Sequence, residues 1–286
     1  MANLKELRSR IKSVSSTMQI TSAMKMVSAA KLSKAQDAIQ QMRPYTDKLT
    51  ELLQNLSASL SGESESVYGI EREVKNVLII SIASNRGLAG AFNSNIIKTS
   101  KRLAEEVYVN KNVEFIAIGK KANDVLSKLY NVVDSNIEIY DDLSFANAEV
   151  IAESVMANFV GGKYDKVVLV YNQFINAASQ KVQEEQFLPI QKIEGGEAST
   201  KEYIFEPSKE EIVDELIPKS LKIQFYKALR DSFASEHGAR MTAMHKATDN
   251  ATALRDDLKL QYNKARQASI TNEILEIVGG AEALNG

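Results

Sequence analysis

The sequence predicts an α/β fold joined to a long antiparallel α-helical coiled coil. In it the N- and C-terminal helices pair and a central Rossmann-like, mostly parallel sheet is inserted between them. Three observations lead there. Leu4, Leu7, Ile11, Val14 and Met18 step by three, four, three and four residues, which is a heptad seam. Leu254 to Val278 is also helical in pattern and contains no proline. Between these ends, strand-like and helix-like segments alternate, as in βαβ units. Two terminal helices so far apart pair only if the middle folds as an insert that returns the chain. The expected outline is a shaft with a head.

Composition narrows the function classes. An apolar share of 44% and a charged share of 25% suit a folded water-soluble chain, and a net charge of −2 gives no general pull toward nucleic acid or membrane. There is no cysteine, which excludes disulfides, thiolate metal sites and cysteine nucleophiles and fits a reducing compartment. No apolar run approaches the ~20 residues that span a bilayer. The N-terminus has no signal-peptide core, and its amphipathic pattern runs straight into the first helix, so a mature intracellular start is expected. Charge is uneven along the chain. Residues 1–34 hold seven cations (Lys5, Arg8, Arg10, Lys12, Lys25, Lys31, Lys34) against Glu6 alone, whereas 134–153 holds six acids and no Lys or Arg.

The expected layout is a coiled-coil helix over 1–60, a linker over 61–75, a Rossmann-like α/β domain over 76–206 and a second coiled-coil helix over 207–286. The first helix, Leu4 to Leu60, continues its stripe through Ile20, Val27, Leu32, Ala35, Ile39 and Met42, with a soft stretch at Ala23, Met24, Met26, Ala29 and Ala30. At 1.5 Å per residue it is roughly 80 Å long. Pro44 is expected to kink or break it. Ser57 to Ser66 reads as a Ser/Gly/Glu linker. Strands are expected at 77–83, 113–118, 137–140, 166–171 and 181–190, and helices at 92–107, 120–129 and 146–160, the last ended by Gly161-Gly162. Residues 193–200 read as a loop. Ser208 to Glu211 is a capping-box pattern opening the last helix. Pro218 is expected to kink that helix, and Gly238 costs it ~1 kcal/mol relative to alanine. Its seam candidates, Ala239, Ala243, Thr248, Ala251, Ala265, Ala268 and Ser269, are small or polar. They allow close approach with weak adhesion.

Each motif has a plain reading beside a functional one. Ser84 to Gly90 lies between a strand and a helix, where a phosphate loop sits. Yet neither GxGxxG nor GxxxxGK[ST] occurs in the chain, so a tight turn that needs glycine is the stronger reading. His237 and His245 are eight apart on one helix, not the four that a helical metal site prefers. They read as solvated. The acidic run 134–153 lacks calcium-loop spacing and reads as solvated surface. The basic N-terminal helix reads either as a solvated coiled-coil face or as a face for an acidic partner. Nucleic acid is disfavoured because residues 1–44 carry no aromatic for stacking. Arg240, Lys264, Arg266 and Gln267 lie among small residues on the last helix. Arginine forks there suit partner carboxylates, with solubilising charge as the plain alternative.

Three stretches resemble the γ subunit of F-type ATP synthase: Ile11 to Lys31 (IKSVSSTMQITSAMKMVSAAK), Ser235 to Ala251 (SEHGARMTAMHKATDNA) and Leu260 to Leu284 (LQYNKARQASITNEILEIVGGAEAL). The Arg86-Gly-Leu-Ala-Gly90 turn and Glu206-Pro207 add to it. The resemblance implies a non-catalytic rotor shaft of bacterial type, turning inside an alternating ring of α and β subunits. Its foot would meet the ε subunit and the c ring of F0, it would bind no cofactor or nucleic acid, and it would lie peripherally on the cytoplasmic face of the cell membrane. It further implies that Met24, Lys25, Arg240, Arg266 and Gln267 meet β subunits. Ile270, Ile274 and Ile277 would form an apolar bearing tip, and Tyr203, Ile204 and Phe205 would face ε or the c ring. A nucleotide-binding Rossmann enzyme and an unrelated coiled-coil adaptor stand as the alternatives.

Overall fold

A computed structural model describes residues 4–59, 67–190 and 209–285. In chain order the elements are α1 (Leu4–Ser59), β1 (Asn76–Ile82), α2 (Phe92–Arg102), β2 (Asn112–Ile118), α3 (Lys120–Leu126), β3 (Val132–Asn136), α4 (Phe145–Val160), β4 (Lys166–Phe174), β5 (Gln180–Leu188) and α5 (Lys209–Asn285). The chain divides into two compact units, Met1–Ser28 with Met241–Gly286, and Ala29–Arg240.

The first unit is an antiparallel helix pair. Arg8 donates to the Tyr262 hydroxyl at 2.7 Å, the Thr252 hydroxyl meets Met18 Sδ at 3.3 Å, the hydroxyls of Thr21 and Thr248 are 2.8 Å apart, and Lys25 Nζ lies 3.4 Å from His245 Nδ1. As the α1 number climbs, the α5 number falls by nearly the same step, which is the register of an antiparallel coil. Leu7, Thr21, Ser28, Met244, Ala251 and Leu258 are buried in it. They recur at seven residues or a multiple of seven on both helices, so the heptad rule is obeyed. The expected stripe departs from it: Ile20 and Val27 are 60% and 58% exposed, and Met26 is 64% exposed. After Met18 the strict period falls on Thr21, Lys25 and Ser28, and geometry selects those positions over their more apolar neighbours.

The second unit is built on a five-stranded sheet in the order β3-β2-β1-β4-β5. β1, β2, β3 and β4 run parallel and β5 is antiparallel to β4. β1 is buried on both faces, as the continuous run Val77 to Ile82 requires. Leu78, Ile80 and Ile82 pack with Val155 and Phe159 of α4 and with Leu221, Phe225 and Leu229 of α5. Val77 and Ile79 pack on the other face with Ile96 of α2 and with Ala122 and Leu126 of α3.

Several local expectations are corrected. The edge strand is Val132–Asn136, and Glu138–Tyr140 forms a 3₁₀ turn. That turn is fixed by Asn136 Oδ1, which accepts from the Ile139 N–H, and by the Tyr140 hydroxyl, which donates to the Ala83 carbonyl. The helix after β1 ends as α at Arg102 and passes into a π turn over Leu103–Val107. Pro44 does not break its helix, and the helix that holds Pro218 likewise runs on past it. Buried Ile39 and Leu49 flank the first, and buried Leu221 follows the second. Packing beside each proline helps offset the ~3 kcal/mol that a mid-helix proline costs. The acidic run is partly tied down, because Lys222 of α5 donates to Glu149 at 2.7 Å and Glu153 at 2.5 Å on α4. Residues 60–66, 193–200 and Ser208 lie outside the described residues.

Candidate functional site

In an open α/β sheet, ligands bind beyond the carboxyl ends of the strands where the strand order reverses. Here that point lies between β1 and β4, and the chain fills it with its own α5. The Ser232 hydroxyl donates to the Ile82 carbonyl at 3.4 Å, at the end of β1. The Ser235 hydroxyl donates to the Asn172 carbonyl at 2.9 Å, near the end of β4. Gly238 comes so close to the turn after β4 that an added Cβ would sit 3.2 Å from the Ala177 carbonyl oxygen. A glycine that weakens the helix fits this close approach, since a side chain there would need the turn to give by a few tenths of an ångström.

Arg240 completes the contact. It is 7% exposed, and its fork faces inward. Nη1 donates to Glu236 Oε1 at 2.6 Å, Nη2 donates to the Arg86 carbonyl at 3.0 Å, and both Nε and Nη2 reach the Gly87 carbonyl at 3.3 Å. The gripped loop is itself set firmly. Leu88 has φ 61° and Gly90 φ 58°. The Ser84 hydroxyl donates to the Arg86 carbonyl at 2.6 Å, and Asn85 links the Ile137 carbonyl to the Lys120 N–H. The Ser84–Gly90 turn is thus held by a side chain of this chain, at the place where a phosphate loop would present its amides.

The electrostatics follow from burial. Glu236 is pushed up by loss of water, a shift opposed by the neighbouring Arg240 guanidinium. His237 is pulled down to about 3, first by burial and then by the positive charges of Arg240 and Lys31. Its ring stands edge-on to Phe233 at 4.5 Å, and neither ring nitrogen has a hydrogen-bond partner among the described residues. The expectation of a solvated pair therefore fails for His237, whereas His245 is 56% exposed. The hydroxyl of half-buried Tyr140 is raised well above its usual range, first by loss of water and then by the charge of Glu236. Among the described residues no group of acids and histidines could hold a metal ion.

The other expected site residues fall on the helical unit. Met24 and Lys25 are half-buried beside the seam, and Lys25 faces His245. Arg266 and Gln267 are exposed on α5, and Ile270, Ile274 and Ile277 are 45%, 54% and 71% exposed. Leu275 and Val278 join them, at 63% and 50% exposed. At 100° per residue the five span roughly 160° of the helix, a band rather than a stripe. Register explains the exposure. Arg8 meets Tyr262, so α1 begins opposite about residue 265 and α5 runs on without it. Arg240 is buried in the α/β unit, whereas Arg266 and Gln267 are exposed in the helical unit. Tyr203, Ile204 and Phe205 lie outside the described residues. Glu236 could have been found from sequence as an i, i+4 partner of Arg240.

A family model described as ATP synthase matches residues 3–284. The ATP synthase gamma chain of Christiangramia forsetii is 72% identical over 286 residues, covering all of both chains, and that of Flavobacterium johnsoniae is 67% identical over 287, again covering both. Among solved structures, a chain of the Euglena gracilis mitochondrial ATP synthase (OSCP/F1/c-ring) is 25% identical, with a TM-score of 0.71, covering 98% of this chain and 94% of that one. A chain of the Tetrahymena thermophila central stalk and c-ring is 28% identical, with a TM-score of 0.59, covering 80% of this chain and 99% of that one. With an end-to-end family match, full-length relatives at this identity, and a coil and sheet of the same fold, the chain belongs to the ATP synthase gamma-chain family.

Proposed function

We propose that this chain is the central shaft of the F1 sector, coupling ion flow through the membrane c ring to the conformational cycle of catalytic β subunits. Family membership makes it a non-catalytic subunit of the complex. The observation that carries the reading is the coil register, which leaves α5 projecting past α1 with an apolar band at its end. Such a band suits an apolar sleeve made by the α and β ring, in which it turns. Arg266 and Gln267, exposed just before it, are placed to meet β carboxylates. Met24 and Lys25 give a second, basic contact lower on the coil. An asymmetric shaft favours a different β state on each side, so rotation shifts nucleotide affinity in turn. Tyr203, Ile204 and Phe205 face ε or the c ring in this reading, and membrane attachment, on the cytoplasmic face in a bacterium, comes through the complex. Among the described residues no helix is long and apolar enough to cross a membrane. The nucleotide-enzyme reading loses its support, because α5 occupies the crevice it needs.

Co-expression with α and β subunits should give a complex whose ATP hydrolysis depends on this chain. If the chain stays apart from α and β, the reading fails. Arg266→Ala with Gln267→Ala should impair assembly or ATP-driven ion pumping and leave nucleotide binding by β intact. Full pumping by that double mutant removes the two residues from the account.

A further inference from the structure

We infer that Arg240 is a positioning residue for coupling: with Glu236 it forms the torque-bearing latch between α5 and the sheet, and it is not a partner contact. The inference rests on the shaft reading above. A helix that packs on a sheet by apolar contact alone resists separation but slides and turns more easily, since the hydrophobic effect is non-directional. Hydrogen bonds to backbone carbonyls are directional. α5 makes three sets of them along its last turns in this unit: Ser232 to β1, Ser235 to β4, and Arg240 to the Arg86 and Gly87 carbonyls. They engage three separate points around the strand ends, so rotation of α5 about its own axis breaks at least one set. Arg240 is the last residue of the unit, where a twist applied further along α5 arrives first. It is also the strongest of the three. Its bonds are charge-assisted and forked, and its charge is balanced by a carboxylate that is 7% exposed. Removing one member of such a pair strands the other in the interior. Gly238, two residues earlier, permits the close approach that brings the fork within reach.

The test uses the assembled complex with its membrane sector and reads ions pumped per ATP hydrolysed. A merely structural role lowers pumping and hydrolysis together and leaves that ratio unmoved. Arg240→Met is expected to lower the ratio several-fold while hydrolysis persists. Arg240→Lys, which keeps the charge opposite Glu236 but lacks the fork, should fall between. The chain has no cysteine, so a staple is clean within it. The Ala177 Cα lies 3.3 Å from a Cβ built on Gly238, close enough for a disulfide after a small shift. Ala177→Cys with Gly238→Cys in the Arg240→Met chain should restore the ratio when oxidised before assembly and lose it on reduction. A ratio equal to wild type in both Arg240→Met and Arg240→Lys overturns the latch. So does an oxidised staple that leaves the Arg240→Met ratio low. Failure of the wild-type chain to support any ATP hydrolysis with α and β overturns the shaft reading instead.

Discussion

His237 shows how much one buried side chain can set. Its ring is neutral because water is excluded and because Arg240 and Lys31 are positive nearby. In the unfolded chain an ordinary histidine takes a proton near pH 6.5. In the folded chain His237 does so only at about 3. Between those values the unfolded state binds the extra proton, so stability falls as pH is lowered, by at most about 1.4 kcal/mol per unit from this group. The raised pKa of Glu236 works the other way, so the informative quantity is a difference between variants. His237→Met, which removes two unpartnered ring nitrogens and keeps an apolar contact for Phe233, should be as stable as wild type or more so at pH 7. Its advantage should grow as pH falls from 6.5 toward 4, measured by urea unfolding across pH. A constant gap would show that His237 is not held neutral.

At the scale of elements, the coil is decided by register more than by hydrophobicity. Leu258, at 6% exposed, and Ile20, at 60%, are both large and apolar, but only the first falls on the seam. Leu258→Ala should cost about 2–4 kcal/mol of coil stability, whereas Ile20→Ala should stay within about 0.5 kcal/mol. Thermal unfolding of the full chain, followed by helix signal, compares them. Equal losses would place Ile20 in the seam after all. The first five seam positions were legible because Leu4 to Met18 are apolar and regularly spaced. The stretch from Ile20 to Val27 was not, because Thr21 and Ser28 look like surface residues, and only Thr248 on the facing helix makes the buried hydroxyl pair sensible, whereas Leu32, Ala35, Ile39 and Leu49 are buried as the stripe expects. The β-α order of the middle was legible from buried runs such as Val77 to Ile82. The edge strand was misplaced onto 137–140 because a strand at the margin of a sheet carries little apolar signal: Val132–Asn136 reads Val-Val-Asp-Ser-Asn.

For the whole molecule, the division of roles follows from where side-chain donors point. Arg240 resembles Arg266 in sequence context, since both sit among small residues on one helix. Its burial was illegible because that depends on the sheet end that α5 meets, which local sequence does not encode. The structure turns Arg240 inward onto the Ser84–Gly90 turn and leaves Arg266, Gln267 and the apolar band outward. The central claim is rotation driven by the ring. Val150, 67% exposed on α4, can be changed to cysteine in this cysteine-free chain to carry a bead or rod, with the α and β ring fixed to a surface. On adding ATP, the account predicts sustained rotation of the probe in one direction, stopping when ATP is exhausted. ATP hydrolysed by the same complexes with the probe stationary, or moving without preferred direction, would contradict it.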